Sequence, residues 1–232
     1  MEPPAEGRAV SSREEILGRV RRSLGVTAGD VTRRAAVTDR LQRSPRGVVP
    51  ARGQLEPEAR VRLFMDKVTA AQASVERLAT LAEVAGAVAD YLRRHNLPQA
   101  VRTGDDPLLA GVDWSSVPQL EVSRGRSDGN DLACLSHAFA GIAETGTLAL
   151  LSGSDNPTTL NFLPDHHLVV IPADAVVGDL ESVWTRLRAD YGAGAMPRTV
   201  NLVTGPSRSA DIEQTLLLGA HGPRSLHVIV VG

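Results

Sequence analysis

With 232 residues, 42% of them apolar and 3% aromatic, the chain is long enough for one large or two small domains with a core of Leu, Val and Ala. A net charge of −2 gives no reason to expect nucleic acid or an anionic membrane as a partner. The one cysteine, Cys134, excludes a disulfide framework and a cysteine-ligated iron–sulfur cluster, which needs about four thiolates.

Charge is unevenly spread. Residues 1–52 carry eleven arginines against six acids, and the remainder is net acidic. The basic segment is either a solvated tail or an arm that docks on an acidic surface. No apolar run reaches the ~18 residues of a membrane span. The opening MEPPAEGRAV lacks the apolar centre of a signal peptide, so the chain is expected to be soluble and cytoplasmic.

In chain order, Ser12 and Glu15 suggest a capping box for a helix over 11–24, with Ile16, Val20 and Leu24 repeating at four. Residues 25–56, rich in Gly, Pro and Arg, read as a linker or extended arm. A compact domain is expected over 57–232, with residues 1–56 as a helix plus Arg-rich arm. Pro57 suits the first turn of a helix, and Val61, Phe64, Met65 and Val68 line its face.

Ala73–Ala79 reads as a strand. Thr80 and Glu83 form a second capping box, for a helix to about His95. Short strands are expected at Pro98–Arg102 and Gln119–Ser123, flanking a helical turn at Pro107–Gly111. Residues 131–151 read as buried strands around a tight turn at Glu144–Gly146. Leu168–Ile171 is a strand, and Gly178–Tyr191 a helix buried through Leu180, Val183, Trp184 and Leu187. Thr199–Val203 is a strand, Thr204–Ser207 a turn, Ser209–Leu218 a capped helix, Gly219–Pro223 a turn and Leu226–Val231 a strand. The alternation predicts an α/β fold with a mainly parallel central sheet covered by helices.

Four stretches carry unexplained polar groups. In AETGT, 143–147, Glu144 is a carboxylate in apolar surroundings. It is either reactive or engaged with turn amides or an arginine. Gly146 permits the turn, and Thr145 and Thr147 supply hydroxyls. Asp165, His166 and His167 are adjacent, but strand neighbours point to opposite faces. A metal would need His137 or His221 as well, and no metal-binding spacing is present, so no metal site is expected.

TGPSRSADIE, 204–213, resembles an anion cradle in outline, with Gly205, Ser207 and Arg208 ahead of a helix start. Asp211 and Glu213 would complement the dipole of that helix. It has neither the Walker pattern nor a dinucleotide fingerprint. In AHGP, 220–223, His221 is a candidate acid or base beside Gly222. These loops are expected to converge at the C-terminal ends of the strands, where open α/β sheets form ligand crevices.

Together IAETGT (142–147), LPDHHLVV (163–170), TGPSRSADIE (204–213) and LGAHGP (218–223) resemble the LUD-domain family (DUF162), the LutC/YkgG type of lactate-utilization protein. The resemblance covers roughly 57–232. It implies a NagB/RpiA/CoA-transferase-like fold and a part in oxidising L-lactate to pyruvate within a three-component system. Its partners would be an iron–sulfur LUD-domain subunit and an oxidoreductase subunit. With one cysteine, this chain resembles the cluster-free component. It would bind no cofactor itself, and hold a small carboxylate or a partner through Thr145, Gly146, Thr147, Gly205, Ser207, Arg208 and Gly222. Glu144 and His221 are the candidate catalytic groups. The alternative is a stand-alone enzyme, because AETG looks like the glutamate loop of the related CoA-transferases. Glu144 would then attack an acyl-CoA.

Overall fold

A computed structural model describes residues 11–27, 29–212 and 215–232. The opening decapeptide discussed above and Glu213 lie outside the described residues. The chain separates into two compact units, Met1–Gly47 and Val48–Gly232.

The first unit holds helices α1 (Ser12–Ser23) and α2 (Val31–Arg43). The capping box of α1 is Ser11 with Glu14, one residue before the expected pair. Over 31–43, α2 corrects the reading of 25–56 as a linker or extended arm. The glycines and prolines that suggested a linker flank a segment free of both, with Ala35, Ala36 and Leu41 inside. The Asp30 side chain caps it by accepting the Arg33 N–H at 3.0 Å.

In the second unit the helices are α3 (Pro57–Ala70), α4 (Val84–Arg94), α5 (Pro107–Ala110), α6 (Thr158–Phe162) and α7 (Leu180–Tyr191). The strands are β1 (Ser74–Leu78), β2 (Ala100–Thr103), β3 (Glu121–Arg124), β4 (Ala133–His137), β5 (Ala140–Ile142), β6 (Thr147–Leu151), β7 (His166–Pro172), β8 (Val176–Val177), β9 (Val200–Val203), β10 (Arg208–Ile212), β11 (Thr215–Leu218) and β12 (Ser225–Val231). Among the described residues a six-stranded sheet runs β1-β12-β7-β4-β2-β3 and is parallel throughout. A four-stranded sheet, β8-β5-β6-β9, is mixed.

Burial on both faces explains the near-continuous apolar runs of β7 and β12. Leu168, Val170 and Ile229 pack toward α4 with Val88 and Leu92. The alternate residues Val169, Ile171, Val228 and Val230 meet Phe64 of α3 and Leu148 and Leu150 of β6. α7 covers the other face of the small sheet through Val183 and Leu187. Ahead of α3, a short turn at Ala51–Gly53 lies against Gly178, where a Cβ on Gly53 would fall 2.1 Å from the Gly178 carbonyl oxygen. Gln54 Nε2 donates to Asp179 Oδ2 at 2.9 Å beside it.

The expected helix over Ser209–Leu218 is instead an antiparallel pair, β10 with β11, Arg208 opposite Leu218. Cross-strand pairing overrides the local capping signal. The Ser207 N–H donates to the Pro223 carbonyl at 2.8 Å, and the Ser207 carbonyl accepts the Gly219 N–H at 3.0 Å. The chain therefore leaves the Gly-Pro turn already paired with residues 219–223.

Candidate functional site

β6 and β9 run antiparallel with Leu148 opposite Val203, so the turn that enters β6 lies beside the loop that leaves β9. Three hydroxyls join them. Thr145 Oγ1 is 2.7 Å from Thr147 Oγ1, which is 2.7 Å from Thr204 Oγ1. Both loops press on the end of α3. Gly146, at φ +68°, would place a Cβ 2.5 Å from the Lys67 carbonyl carbon. Gly205, at φ +72°, would place one 2.2 Å from the Ala71 oxygen. Glycine meets both demands, the left-handed backbone and the close approach.

Past Gly205 the chain closes on the turn that precedes β12. Ser207 Oγ accepts the His221 N–H at 3.3 Å, and Arg208 Nη1 donates to Gln72 Oε1 at 3.0 Å. A cleft of about 280 Å³ opens there, lined by Gly205, Ser207, Arg208, His221, Gly222 and His167. Ser207 keeps its own O–H to donate, because its oxygen is accepting. No Asp or Glu lines the cleft among the described residues. A guanidinium, a hydroxyl donor and an imidazole around a space without carboxylates suit a small anion such as a carboxylate.

His167 belongs to a buried relay. Ser136 donates to Asn161 Oδ1 at 3.1 Å, so the Ser136 oxygen accepts from His167 Nε2 at 3.0 Å. Burial pushes the His167 pKa down to about 3, keeping the ring neutral. Burial likewise pushes the Cys134 thiol up to about 12. Sequence reasoning did not single out Thr204, Gln72 or Asn161. Each acts through a partner distant in the chain, and no local pattern marks it.

Glu144 is not among the residues lining this cleft. It is 8% exposed at the start of α7, where Oε1 accepts the Leu180 N–H at 3.4 Å and Oε2 lies 3.7 Å from Arg52 Nη2. A carboxylate at a helix N-terminus complements the dipole. Thr145, Gly146 and Thr147 reach the cleft indirectly, through Thr204.

In the parallel sheet the cleft lies at the first residues of β7 and β12, not at the C-terminal strand ends where the loops were expected to meet; it meets a C-terminal strand end at β9 of the small sheet. The connections entering β7 and β12 form it together with the end of the small sheet. A larger cleft, of about 470 Å³, occupies the C-terminal ends of β2 and β4 around Asp106 and His137. Among the described residues no group of three or more His, Cys, Asp or Glu is placed to hold a metal ion.

A family profile described as the LUD domain matches residues 61–231. The chain belongs to the LUD-domain family. This LUD domain is similar to lactate utilization protein C of Geobacillus thermodenitrificans, 35% identical over 121 residues that cover 51% of this chain and 49% of that protein. It is also similar to lactate utilization protein C of Geobacillus kaustophilus, 30% identical over 169 residues, 66% of this chain and 70% of that protein. The chain spans about half the length of the first of these relatives. A crystal structure of a DUF162 family protein from Deinococcus radiodurans matches with a TM-score of 0.57 at 26% identity, over 77% of this chain and 99% of that one. No helix among the described residues is long and apolar enough to cross a membrane.

Proposed function

We propose that this LUD domain is the cluster-free component of an L-lactate utilization system. It supports oxidation of L-lactate to pyruvate by partner subunits that carry the iron–sulfur clusters and the oxidoreductase. Its own part is to hold a small carboxylate, or the partner that presents one, in the Arg208–His221 cleft. The observation that carries this reading is Arg208, steered by Gln72, facing a cleft with Ser207 and His221 and, among the described residues, no lining acid. The names of the similar proteins support the pathway. The single buried cysteine supports a cluster-free role.

The alternative, Glu144 attacking an acyl-CoA, requires a carboxylate that can meet a thioester. Glu144 is engaged with Leu180 and Arg52 outside the cleft, so the carboxylate-binding reading is preferred.

The test is growth on L-lactate by a deletion strain carrying Arg208→Ala or His221→Ala, alongside L-lactate and pyruvate titrations of the purified chain followed at His221. The expected result is impaired growth and weakened binding with the thermal midpoint unchanged. Undiminished binding in Arg208→Ala would overturn the carboxylate site. Lactate-dependent dye reduction by the isolated chain, with no cofactor bound, would overturn the accessory role.

A further inference from the structure

The order β1-β12-β7-β4-β2-β3 contains a switch point. From β2 the chain moves outward to β3, then returns to β4 on the other side of β2. Connections leaving β2 and β4 therefore diverge, and open sheets bind ligands in the crevice this leaves at the C-terminal strand ends. The cleft of about 470 Å³ is that crevice.

Asp106 is 5% exposed and both its oxygens are engaged. Oδ1 accepts the N–H groups of Leu108 at 2.8 Å and Leu109 at 3.1 Å, capping α5. Oδ2 is 3.0 Å from His137 Nδ1. A carboxylate partner makes Nδ1 the donor, so in the tautomer this bond selects Nε2 is left as an acceptor. Asn156, in the wall of the same cleft, is 3% exposed. Its Nδ2 donates to the Leu151 carbonyl at 3.1 Å, while its buried Oδ1 meets no donor among the described residues. Such an oxygen has lost its water without gaining a donor, which a ligand N–H would supply.

Asp155 and Asp190 also line the cleft, and among the described residues no Lys or Arg does. Arg186, 3.9 Å from Asp190 and stacked over Phe139, is not a lining residue. Apart from the Tyr191 hydroxyl, which can also donate, the polar surfaces offered are acceptors and negative charge, with Leu108, Phe139 and Leu151 to cover carbon. The walls are held together. A Cβ on Gly104 would fall 1.9 Å from the Asp155 carbonyl oxygen, and the Asp105 N–H donates to the Ser154 carbonyl at 3.2 Å.

We propose that this crevice is a second ligand site, for a small organic ammonium cation, which His137 Nε2 and Asn156 Oδ1 recognise by accepting its N–H groups. It stands apart from the Arg208–His221 cleft in position and in charge, and does not depend on the function proposed above.

The test is ¹³C–¹H spectroscopy of the histidine rings in the full chain, with the His137 signal assigned from His137→Gln. Three probes of matched size are titrated: n-butylammonium, n-butanol and n-butyrate. Butylammonium is expected to shift His137 saturably, about tenfold more tightly than butyrate, because like charges oppose the anion. His221 is expected not to follow it. Asn156→Leu is expected to weaken the binding. The rim variant Asp190→Asn keeps the test sound if Asn156→Leu fails to fold, and it is expected to weaken binding and reduce its salt dependence. A His137 signal unmoved by butylammonium, or moved equally by butyrate or butanol, overturns the proposal.

Discussion

Replacing Gly205 by alanine tests the idea that the cleft is built against the end of α3. Gly205 has φ +72°, and its new Cβ would fall 2.2 Å from the Ala71 carbonyl oxygen, an atom of the backbone that no rotamer change can move. The left-handed conformation alone costs an alanine about 1–2 kcal/mol. Pushing two backbone segments apart adds about 1–3 kcal/mol, as other overpacked sites do. The sum is about 2–5 kcal/mol, a fall of about 4–20 °C in thermal midpoint for a domain of this size. Gly194→Ala is the matched control, since Gly194 has φ +80° and, among the described residues, nothing within 4 Å of the added Cβ. Differential scanning calorimetry of both variants separates the two costs. Ala71 precedes Gln72, so the displacement also pulls Gln72 from Arg208, and carboxylate binding is expected to weaken in Gly205→Ala alone. A Gly205→Ala midpoint no lower than that of Gly194→Ala would refute the close-approach argument.

The acid side of the stability curve follows from the buried groups. His167 has a lowered pKa through burial, so its contribution is complete above about 6.5 and is lost as pH falls below that value, while the unfolded chain takes up the proton. By pH 5 this single ring removes about 2 kcal/mol, and the drop in urea midpoint between pH 7 and pH 5 is expected to shrink in His167→Gln. Burial raises the Asp106 carboxyl, but the bond and charge of His137 and the amides of Leu109 and Leu108 outweigh it and leave the pKa lowered. Its contribution is therefore present above the ordinary carboxylate range and lost as pH falls through the lowered value. Asp106→Asn is expected to flatten that acid limb, measured by circular dichroism against pH. Glu144→Ala is expected to cost about 1 kcal/mol in urea unfolding by removing a charge from the start of α7. Its growth on L-lactate is expected to fall no further than that lost stability explains.

The elements that were legible in the sequence are those whose burial is periodic. α3 shows its face in Val61, Phe64 and Val68, α7 in Val183 and Leu187, and β12 is a run buried on both sides. Ser209–Leu218 misled because its capping residues are real local signals, while the segment pairs its own two halves as β10 and β11 and Ser207 fastens their ends to Gly219 and Pro223. α2 was hidden by the glycines and prolines at its edges. Of the site, the glycine-rich turns and their polar residues could be read, but which loops meet depends on the antiparallel register of β6 and β9. The Asp106–His137 pair had half a signal. Asp106 before Pro107 marks a helix start, but His137 lies 31 residues on and reaches it only through the order of the sheet.

The turn at Ala51–Gly53 bears on how small a piece of this chain can stand by itself. Gly53 and Gly178 face each other so closely that either would drive a Cβ into the other's carbonyl. Arg52 and Gln54 flank that meeting with Glu144 and Asp179. A recombinant fragment cut at Pro57 would strip this strap from the start of α7 and uncover Glu144 to water. A fragment beginning at Val48 keeps it. Limited proteolysis should show the same asymmetry, with cleavage between Ser44 and Val48 tolerated and the bonds from Ala51 to Gln54 resistant until the whole body unfolds.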